Sequence, residues 1–184
     1  MLRPNPGGSV QDLVDRLKAT IRDIPDFPKP GILFKDITPV LADCQLLRAT
    51  VDHFAEKYTG WHIDAVVGME SRGFIFGAPL AMALGASFVP ARKPGKLPYR
   101  SIGVEYSLEY GTARLEMHVD ALKKGQRVLV VDDLLATGGT ARATCQLVRQ
   151  LEADVVACCF VIELSFLNGR DELEPMSVES LVIY

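Results

Sequence analysis

The stretch VLVVDDLLATGGTA, residues 128–141, contains the strongest indication of fold in the sequence. Its uninterrupted apolar start is typical of a strand that is buried on both faces of a parallel sheet. The apolar run ends at two adjacent aspartates, Asp132 and Asp133, and a glycine-rich turn follows at residues 136–140. Ligands of open parallel sheets bind beyond the carboxyl ends of the strands. The stretch therefore predicts an α/β fold with a ligand site at this edge of the sheet.

The remaining chain alternates short apolar runs with amphipathic ones, which is typical of helices that connect the strands of a parallel sheet. Strands are predicted at residues 63–68, 86–91, 127–132 and 154–163 and in the final SLVIY. Helices are predicted at residues 10–22, 43–58, 73–84 and 140–151, with Ser9 capping the first. The segments 104–108 and 112–118 suit a hairpin, whereas the prolines in 24–39 predict a loop without regular structure.

Length and composition are those of one ordinary folded domain. The 184 residues fit a single domain, 1–184, of which residues 1–8 are expected to be flexible. The net charge of −3 provides no basic surface for a nucleic acid, and no apolar run is long enough for a membrane span. The four cysteines, at 44, 145, 158 and 159, are interpreted as reduced core thiols, which predicts a cytoplasmic protein.

The acid pair and the turn behind it have complementary binding chemistry. Two adjacent carboxylates are costly to hold unless hydroxyl donors or a cation satisfy them, and a ribose diol supplies such donors. The turn, ATGGT at 136–140, suits one terminal phosphate, because glycines allow close backbone approach and a helix follows. It lacks the lysine that ends a P-loop. Together these features predict a ribose 5-phosphate site, the alternative being a plain turn with a helix cap.

The unbroken stretch VVDDLLATGGT, residues 130–140, is similar to the phosphoribosyl pyrophosphate signature of the type I phosphoribosyltransferases. Other stretches resemble the members of that family that act on adenine, in the same order along the chain: DFPKPGILFKDITP (26–39), ESRGFIFGAPLA (70–81), RKPGKLP (92–98), YSLEYG (106–111) and IELSFLNGR (162–170). The resemblance implies the type I phosphoribosyltransferase fold, a central, mostly parallel twisted sheet flanked by helices. It also implies a mobile catalytic hood over residues 92–110.

The resemblance further implies a reaction of purine salvage. Adenine and 5-phospho-α-D-ribose 1-diphosphate (phosphoribosyl pyrophosphate) would give AMP and pyrophosphate. Mg²⁺ would be held through the diphosphate, with no direct protein ligand, and the protein would be a homodimer. No covalent nucleophile is needed, which agrees with the interpretation of the three histidines as structural or surface residues.

Particular residues receive roles from the resemblance. The ribose 5-phosphate is expected at Asp132, Asp133, Ala136, Thr137, Gly138, Gly139 and Thr140. Pyrophosphate is expected at Glu70, Ser71, Arg72, Arg92, Lys93 and Lys96, with a cis peptide implied between Glu70 and Ser71. Adenine is expected to stack on Phe34, to be read by backbone groups of Leu33 and Lys35, and to be covered by Leu134. The catalytic residues implied are Glu109, Arg72 and Tyr110.

The expected role of Glu109 is to hold the proton on N7 of the purine, so that N9 can attack the sugar. Two other functions compete with this one. The first is transfer to another purine base, namely hypoxanthine, guanine or xanthine. The second is a non-catalytic regulator that senses phosphoribosyl pyrophosphate, although the sequence shows neither a helix-turn-helix nor a basic stripe to accompany such a role.

Overall fold

A computed structural model describes residues 9–107 and 111–184, without the side chain of residue 107. The chain divides into two compact units, Met1–Phe54 and Ala55–Tyr184. The boundary falls inside one helix, Cys44–Tyr58. Among the described residues, no helix combines the length and the apolar character that crossing a membrane requires.

The first unit begins with helix α1, Val10–Thr20, which buries Leu13 and Leu17. The Ser9 hydroxyl accepts the Asp12 amide at 3.2 Å, so the predicted cap is confirmed. Strand β1, Arg22–Pro25, then pairs antiparallel with strand β2, Leu33–Asp36. The prediction that residues 24–39 lack regular structure was therefore wrong. The prolines permit the pairing because they lie at the end of β1 and in the connection rather than within β2.

Two helices follow β2. Helix α2, Thr38–Ala42, starts with Pro39 near its amino end, where a missing amide donor costs nothing. Helix α3 is Cys44–Tyr58. It is capped by Asp43, whose Oδ1 accepts the amides of Gln45 and Leu46 at 2.9 and 3.0 Å. Cys44 is exposed at the start of α3, so the interpretation of this cysteine as a core thiol was wrong.

The second unit contains a five-stranded parallel sheet. Its strands are β3 (Ala65–Met69), β4 (Ser87–Ala91), β7 (Arg127–Leu135), β8 (Asp154–Glu163) and β9 (Ser177–Ile183), in the order β4-β3-β7-β8-β9. Helices α4 (Gly73–Leu84) and α5 (Gly139–Gln150) pack against it. Strands β5 (Ser101–Ser107) and β6 (Thr112–His118) form a separate antiparallel hairpin. The α/β fold and the hairpin are confirmed.

The core lies around the central strands. Residues Val128–Val131 of β7 are completely buried, as are the thiols of Cys145, Cys158 and Cys159. Burial raises the pKa of the Cys159 thiol to about 12, which keeps it protonated and unreactive. Strand β7 continues to Leu135, beyond the predicted end at 132, because β8 pairs with it as far as Glu163. The acid pair therefore lies near the carboxyl end of β7, within the strand and not after it.

Candidate active site

The two central strands bring separate parts of the predicted site to one edge of the sheet. Strands β3 and β7 are parallel neighbours, so their carboxyl ends lie side by side. The peptide between Glu70 and Ser71, directly after β3, is cis, as implied by the resemblance. The helix that follows begins at Gly73, where an added Cβ would lie 2.6 Å from the Val131 carbonyl oxygen. Only glycine allows the start of α4 to approach β7 this closely.

Arg72 and Asp133 form an ion pair between the guanidinium Nε and the carboxylate Oδ2. Asp133 is buried, with a residue exposure of 5%, whereas nearly half of the Arg72 side chain is exposed. The sequence assigns Asp133 to the ribose and Arg72 to pyrophosphate. The structure places the two side chains in direct contact, so a positive charge lies at the boundary between the two predicted subsites.

Asp132 has different surroundings from Asp133. Its Oδ1 accepts the Asp133 amide at 2.9 Å. Desolvation, followed by the negative charge of Asp133, raises the pKa of the Asp132 carboxyl well above its ordinary value, although Arg72 partly opposes this effect. Hydrogen-bond donors of a ligand would relieve this repulsion between the two carboxyls.

The predicted phosphate cradle is a tight turn at the start of α5. Gly138 caps the helix with a φ of +82°, a left-handed conformation that favours glycine. Helix α5 starts at Gly139, one residue before the predicted start at Thr140, so Thr140 lies in its first turn. The turn lines a cavity of about 80 Å³, together with Met69, Asp132 and Phe160. Backbone amides at the start of α5 are available to an anion in this cavity.

The cradle is supported from behind by a turn that the sequence interpretation did not assign to the site. A Cβ at Gly169 would lie 2.0 Å from the Ala136 carbonyl oxygen, and a Cβ at Gly138 would lie 2.3 Å from the Gly169 carbonyl oxygen. Arg142 of α5 also forms an ion pair of 2.7 Å with Glu172. The signal in the sequence was the Asn168-Gly169 dipeptide, typical of a tight turn.

An ion pair between the partly exposed Arg170 and the buried Glu163 holds this supporting turn. Arg170 contacts the Glu163 carboxylate at 2.5 Å and donates to the Val178 carbonyl oxygen at 2.9 Å. The Arg170 hydrogen bond lowers the pKa of Glu163 despite its burial. These contacts of Arg170 hold the supporting turn against the end of β8. The cradle in turn packs against this turn.

The first residues of the predicted hood are attached to the loop after β3. The Glu70 carboxylate accepts the Lys93 amide at 2.8 Å and the Arg92 Nε at 3.3 Å. Burial alone would raise the pKa of Glu70, but these two donors together bring the pKa below its ordinary value. Arg92 also donates to the Lys96 carbonyl oxygen at 3.2 Å, while the Lys93 and Lys96 side chains are exposed. Glu70 thus holds the first residues of the predicted hood in place.

The predicted adenine residues lie mainly in the first unit. Leu33, Phe34 and Lys35 form most of β2. The Phe34 ring makes an edge contact with Phe27 at 5.2 Å between centroids, and Lys35 Nζ contacts Asp23 at 2.6 Å. Leu134 lies in β7 of the second unit and is partly buried. Glu109 and Tyr110, predicted to be catalytic, lie outside the described residues.

Comparison with known proteins agrees with this geometry. The phosphoribosyl transferase domain matches residues 41–179. The adenine phosphoribosyltransferase of Methylococcus capsulatus is 60% identical over 171 residues, which cover 93% of this chain and 100% of the relative. That of Acaryochloris marina is 61% identical over 168 residues, which cover 91% of this chain and 99% of the relative.

The solved structures that this chain resembles are also adenine phosphoribosyltransferases. Adenine phosphoribosyltransferase from Thermoanaerobacter pseudethanolicus superposes with a TM-score of 0.90 at 50% identity, covering 93% of this chain and 99% of that one. The Saccharomyces cerevisiae enzyme, complexed with an imino-altritol bisphosphate and adenine, has a TM-score of 0.89 at 42% identity, covering 94% of this chain and 99% of that one. This chain belongs to the phosphoribosyltransferase family. Within the family, it falls in the branch of the adenine phosphoribosyltransferases.

Proposed function

We propose that the protein transfers a phosphoribosyl group to adenine, forming AMP and pyrophosphate from adenine and phosphoribosyl pyrophosphate. One observation carries this conclusion: the acid pair of β7, the phosphate cradle and Arg72 lie at one edge of the sheet in a chain about 60% identical to adenine phosphoribosyltransferases. The yeast relative was crystallised with adenine and a bisphosphate of a sugar-like ring, which supports the same pair of ligands here.

In this proposal the acid pair and the cradle hold the ribose 5-phosphate. Asp132 and Asp133 accept hydrogen bonds from the ribose hydroxyls. The turn from Ala136 to Thr140 donates backbone amides and the hydroxyls of Thr137 and Thr140 to the phosphate. Support comes from the shape of the turn and from the raised pKa of Asp132, since added donors relieve the repulsion between the two carboxyls.

The pyrophosphate subsite comprises Glu70, Ser71, Arg72, Arg92, Lys93 and Lys96. Arg72 is suited to it because its guanidinium already lies beside the ribose acids. Lys93 and Lys96 are exposed and free to turn towards a diphosphate. Glu70 contributes indirectly through its contacts with Arg92 and Lys93. In the proposed homodimer, Arg92 could also contribute to the pyrophosphate subsite of the neighbouring subunit.

Magnesium fits the proposed site as a companion of the substrate. Mg²⁺ in phosphate-transferring sites is commonly bound by one or two carboxylates together with substrate phosphates. Here the diphosphate oxygens of the substrate are proposed to hold the metal without a direct protein ligand, and Asp132 and Asp133 accept the ribose hydroxyls instead. When bound, the metal would neutralise charge on the departing pyrophosphate.

Adenine is proposed to stack on Phe34, with Leu33 and Lys35 contributing backbone groups and Leu134 an apolar face. The Lys35 side chain contacts Asp23, which agrees with a role for its backbone alone. Glu109 is proposed to hold the N7 proton of the base and Tyr110 to assist the closed hood. As pyrophosphate leaves, positive charge develops on the ribose, and the carboxylates of β7 are placed to stabilise it.

A homodimer and a cytoplasmic location complete the proposal. The outer face of α4 presents Ile75 and Met82, which are 38% and 84% exposed, with Ala78 and Pro79 between them. These residues recur at helical spacing and form one apolar stripe, which a second copy of the chain could cover. All four cysteines are free, which agrees with a reducing compartment.

The deciding experiment is a base-competition assay with phosphoribosyl pyrophosphate and Mg²⁺. We expect AMP formation from adenine to exceed nucleotide formation from hypoxanthine, guanine or xanthine by a large factor. Equal or inverted preference would assign the protein to another purine base. Absence of pyrophosphate release with every base, despite binding of phosphoribosyl pyrophosphate, would favour the non-catalytic regulator. Glu109→Ala should lose most turnover while still binding AMP, and near-normal turnover would remove Glu109 from the mechanism.

A further inference from the structure

Tyr106 connects the hood hairpin to the phosphate cradle. Ile102, Val104 and Tyr106 alternate along β5, and all three pack against the main apolar core of the second unit. The Tyr106 ring is therefore held against this apolar core. Its phenol oxygen lies 3.3 Å from Oγ1 of Thr140, in the first turn of α5. This contact joins a strand of the hood segment to a residue predicted to bind phosphate.

The contact can change its direction when phosphate arrives. Each hydroxyl carries one hydrogen and can also accept, and in the structure Thr140 donates to Tyr106. If Thr140 turns its hydrogen towards a phosphate oxygen, its own oxygen can accept a hydrogen bond from Tyr106. The separation of 3.3 Å exceeds the usual O–H···O distance of about 2.7–2.8 Å, so the contact has room to shorten.

We propose that Tyr106 is a positioning residue for the transfer reaction. Its hydroxyl orients that of Thr140 towards the 5′-phosphate, and the resulting chain of two hydrogen bonds couples occupation of the cradle to the placement of β5. Helix α5 also packs directly against β5 and β6, so the cradle and the hairpin are mechanically continuous. The inference deepens the proposed function and rests on it. Glu109 follows Tyr106 by three positions in the same hood segment.

A double-mutant cycle of Tyr106→Phe and Thr140→Val tests the positioning role. Both changes remove a hydroxyl while nearly preserving volume. By calorimetry, Tyr106→Phe should weaken ribose 5-phosphate binding about threefold to tenfold, as expected for one hydrogen bond. In the Thr140→Val background the same change should have no further effect. Unchanged affinity in Tyr106→Phe, or full additivity in the double variant, overturns the proposal.

Amide hydrogen exchange tests the coupling to the hairpin. Ribose 5-phosphate should slow exchange in the segments 101–107 and 112–118 of the wild type, and Tyr106→Phe should abolish most of this protection. Equal protection in both proteins overturns the coupling. Neither experiment uses adenine or turnover. A failure here therefore leaves the transferase assignment intact, since the base-competition assay tests that assignment separately.

Discussion

Asp132 and Asp133 are adjacent in β7, and Asp133 forms an ion pair with Arg72, while the pKa of Asp132 is raised well above the ordinary range. The arrangement separates two tasks. Asp133 holds the guanidinium at the sheet edge, whereas burial and the adjacent negative charge raise the pKa of the Asp132 carboxyl, an effect that hydroxyl donors of a sugar would oppose. Asp132 therefore combines a predicted role in binding the ribose with an unfavourable electrostatic environment.

Asp132→Asn should stabilise the free protein at neutral and alkaline pH. The pKa of Asp132 is raised in the folded state, so its favourable contribution to folding is present below about pH 3.9 and is lost as pH rises through the folded value. Asparagine keeps the oxygen that accepts the Asp133 amide but cannot ionise. Thermal unfolding should show a melting temperature advantage of the variant that grows with pH, while the KM for phosphoribosyl pyrophosphate rises about tenfold or more.

The exposed Asp120 provides the matched control for this test. Asp120→Asn should change neither the pH dependence of unfolding nor the KM. A melting temperature difference between Asp132→Asn and wild type that stays constant from acid to alkaline pH would contradict the assignment of the raised pKa to Asp132.

Glu70→Gln should loosen the start of the hood. The pKa of Glu70 is lowered, so its stabilising contribution is present above about pH 4.3 and is lost as pH falls through the lower folded value. Loss of its charged hydrogen bonds to Arg92 and Lys93 should cost about 1 kcal/mol of unfolding free energy at neutral pH. Denaturant unfolding should show this difference shrinking towards zero in acid. The exposed Glu56→Gln is the control, and an equal loss there would refute a specific anchor.

Gly169→Ala should damage the cradle from behind. The added methyl would meet the Ala136 carbonyl oxygen at 2.0 Å, so the turn or the cradle must move. We expect the KM for phosphoribosyl pyrophosphate to rise about tenfold, with a smaller change in the KM for adenine. Gly125→Ala is the control, because Gly125 has a φ of +76° but no atom within 4 Å of an added Cβ. If both variants lose only stability, the turn is not a support of the cradle.

Met82→Glu should prevent self-association. Met82 is 84% exposed at the carboxyl-terminal end of the apolar stripe on α4, and a buried unpaired carboxylate at an interface is strongly unfavourable. Sedimentation analysis should give twice the chain mass for the wild type and the chain mass for the variant. Val10→Glu, which alters an equally apolar but separate exposed residue, should leave the dimer intact. A dimer that survives Met82→Glu excludes the α4 face as the interface.

The central part of the fold could be predicted because its signals are local. The apolar run of β7, the acids at its end and the glycines behind it occur within one continuous stretch, and the structure confirms their placement on a parallel sheet. The helices and strands of the second unit follow from the same periodic patterns. The family resemblance added the cis peptide at Glu70–Ser71, which no pattern of hydrophobicity would indicate.

Other features depend on contacts between distant parts of the chain. The Gly138–Gly169 approach and the Tyr106–Thr140 hydrogen bond join residues about thirty positions apart, and no local pattern specifies such a contact. The β1–β2 pairing was missed for a related reason, since proline content was given more weight than the strand-forming residues between the prolines. Cys44 was misplaced because cysteines are usually buried, whereas this one starts a helix.

The turn behind the cradle gives the phosphate loop its shape before any ligand arrives. Immobilising a flexible residue costs on the order of 1–2 kcal/mol, so a ligand that had to order five residues would lose most of its affinity. Because the turn at Gly169 already packs closely against the loop, this entropy is lost during folding instead. We therefore expect simple phosphate monoesters to associate rapidly with the cradle.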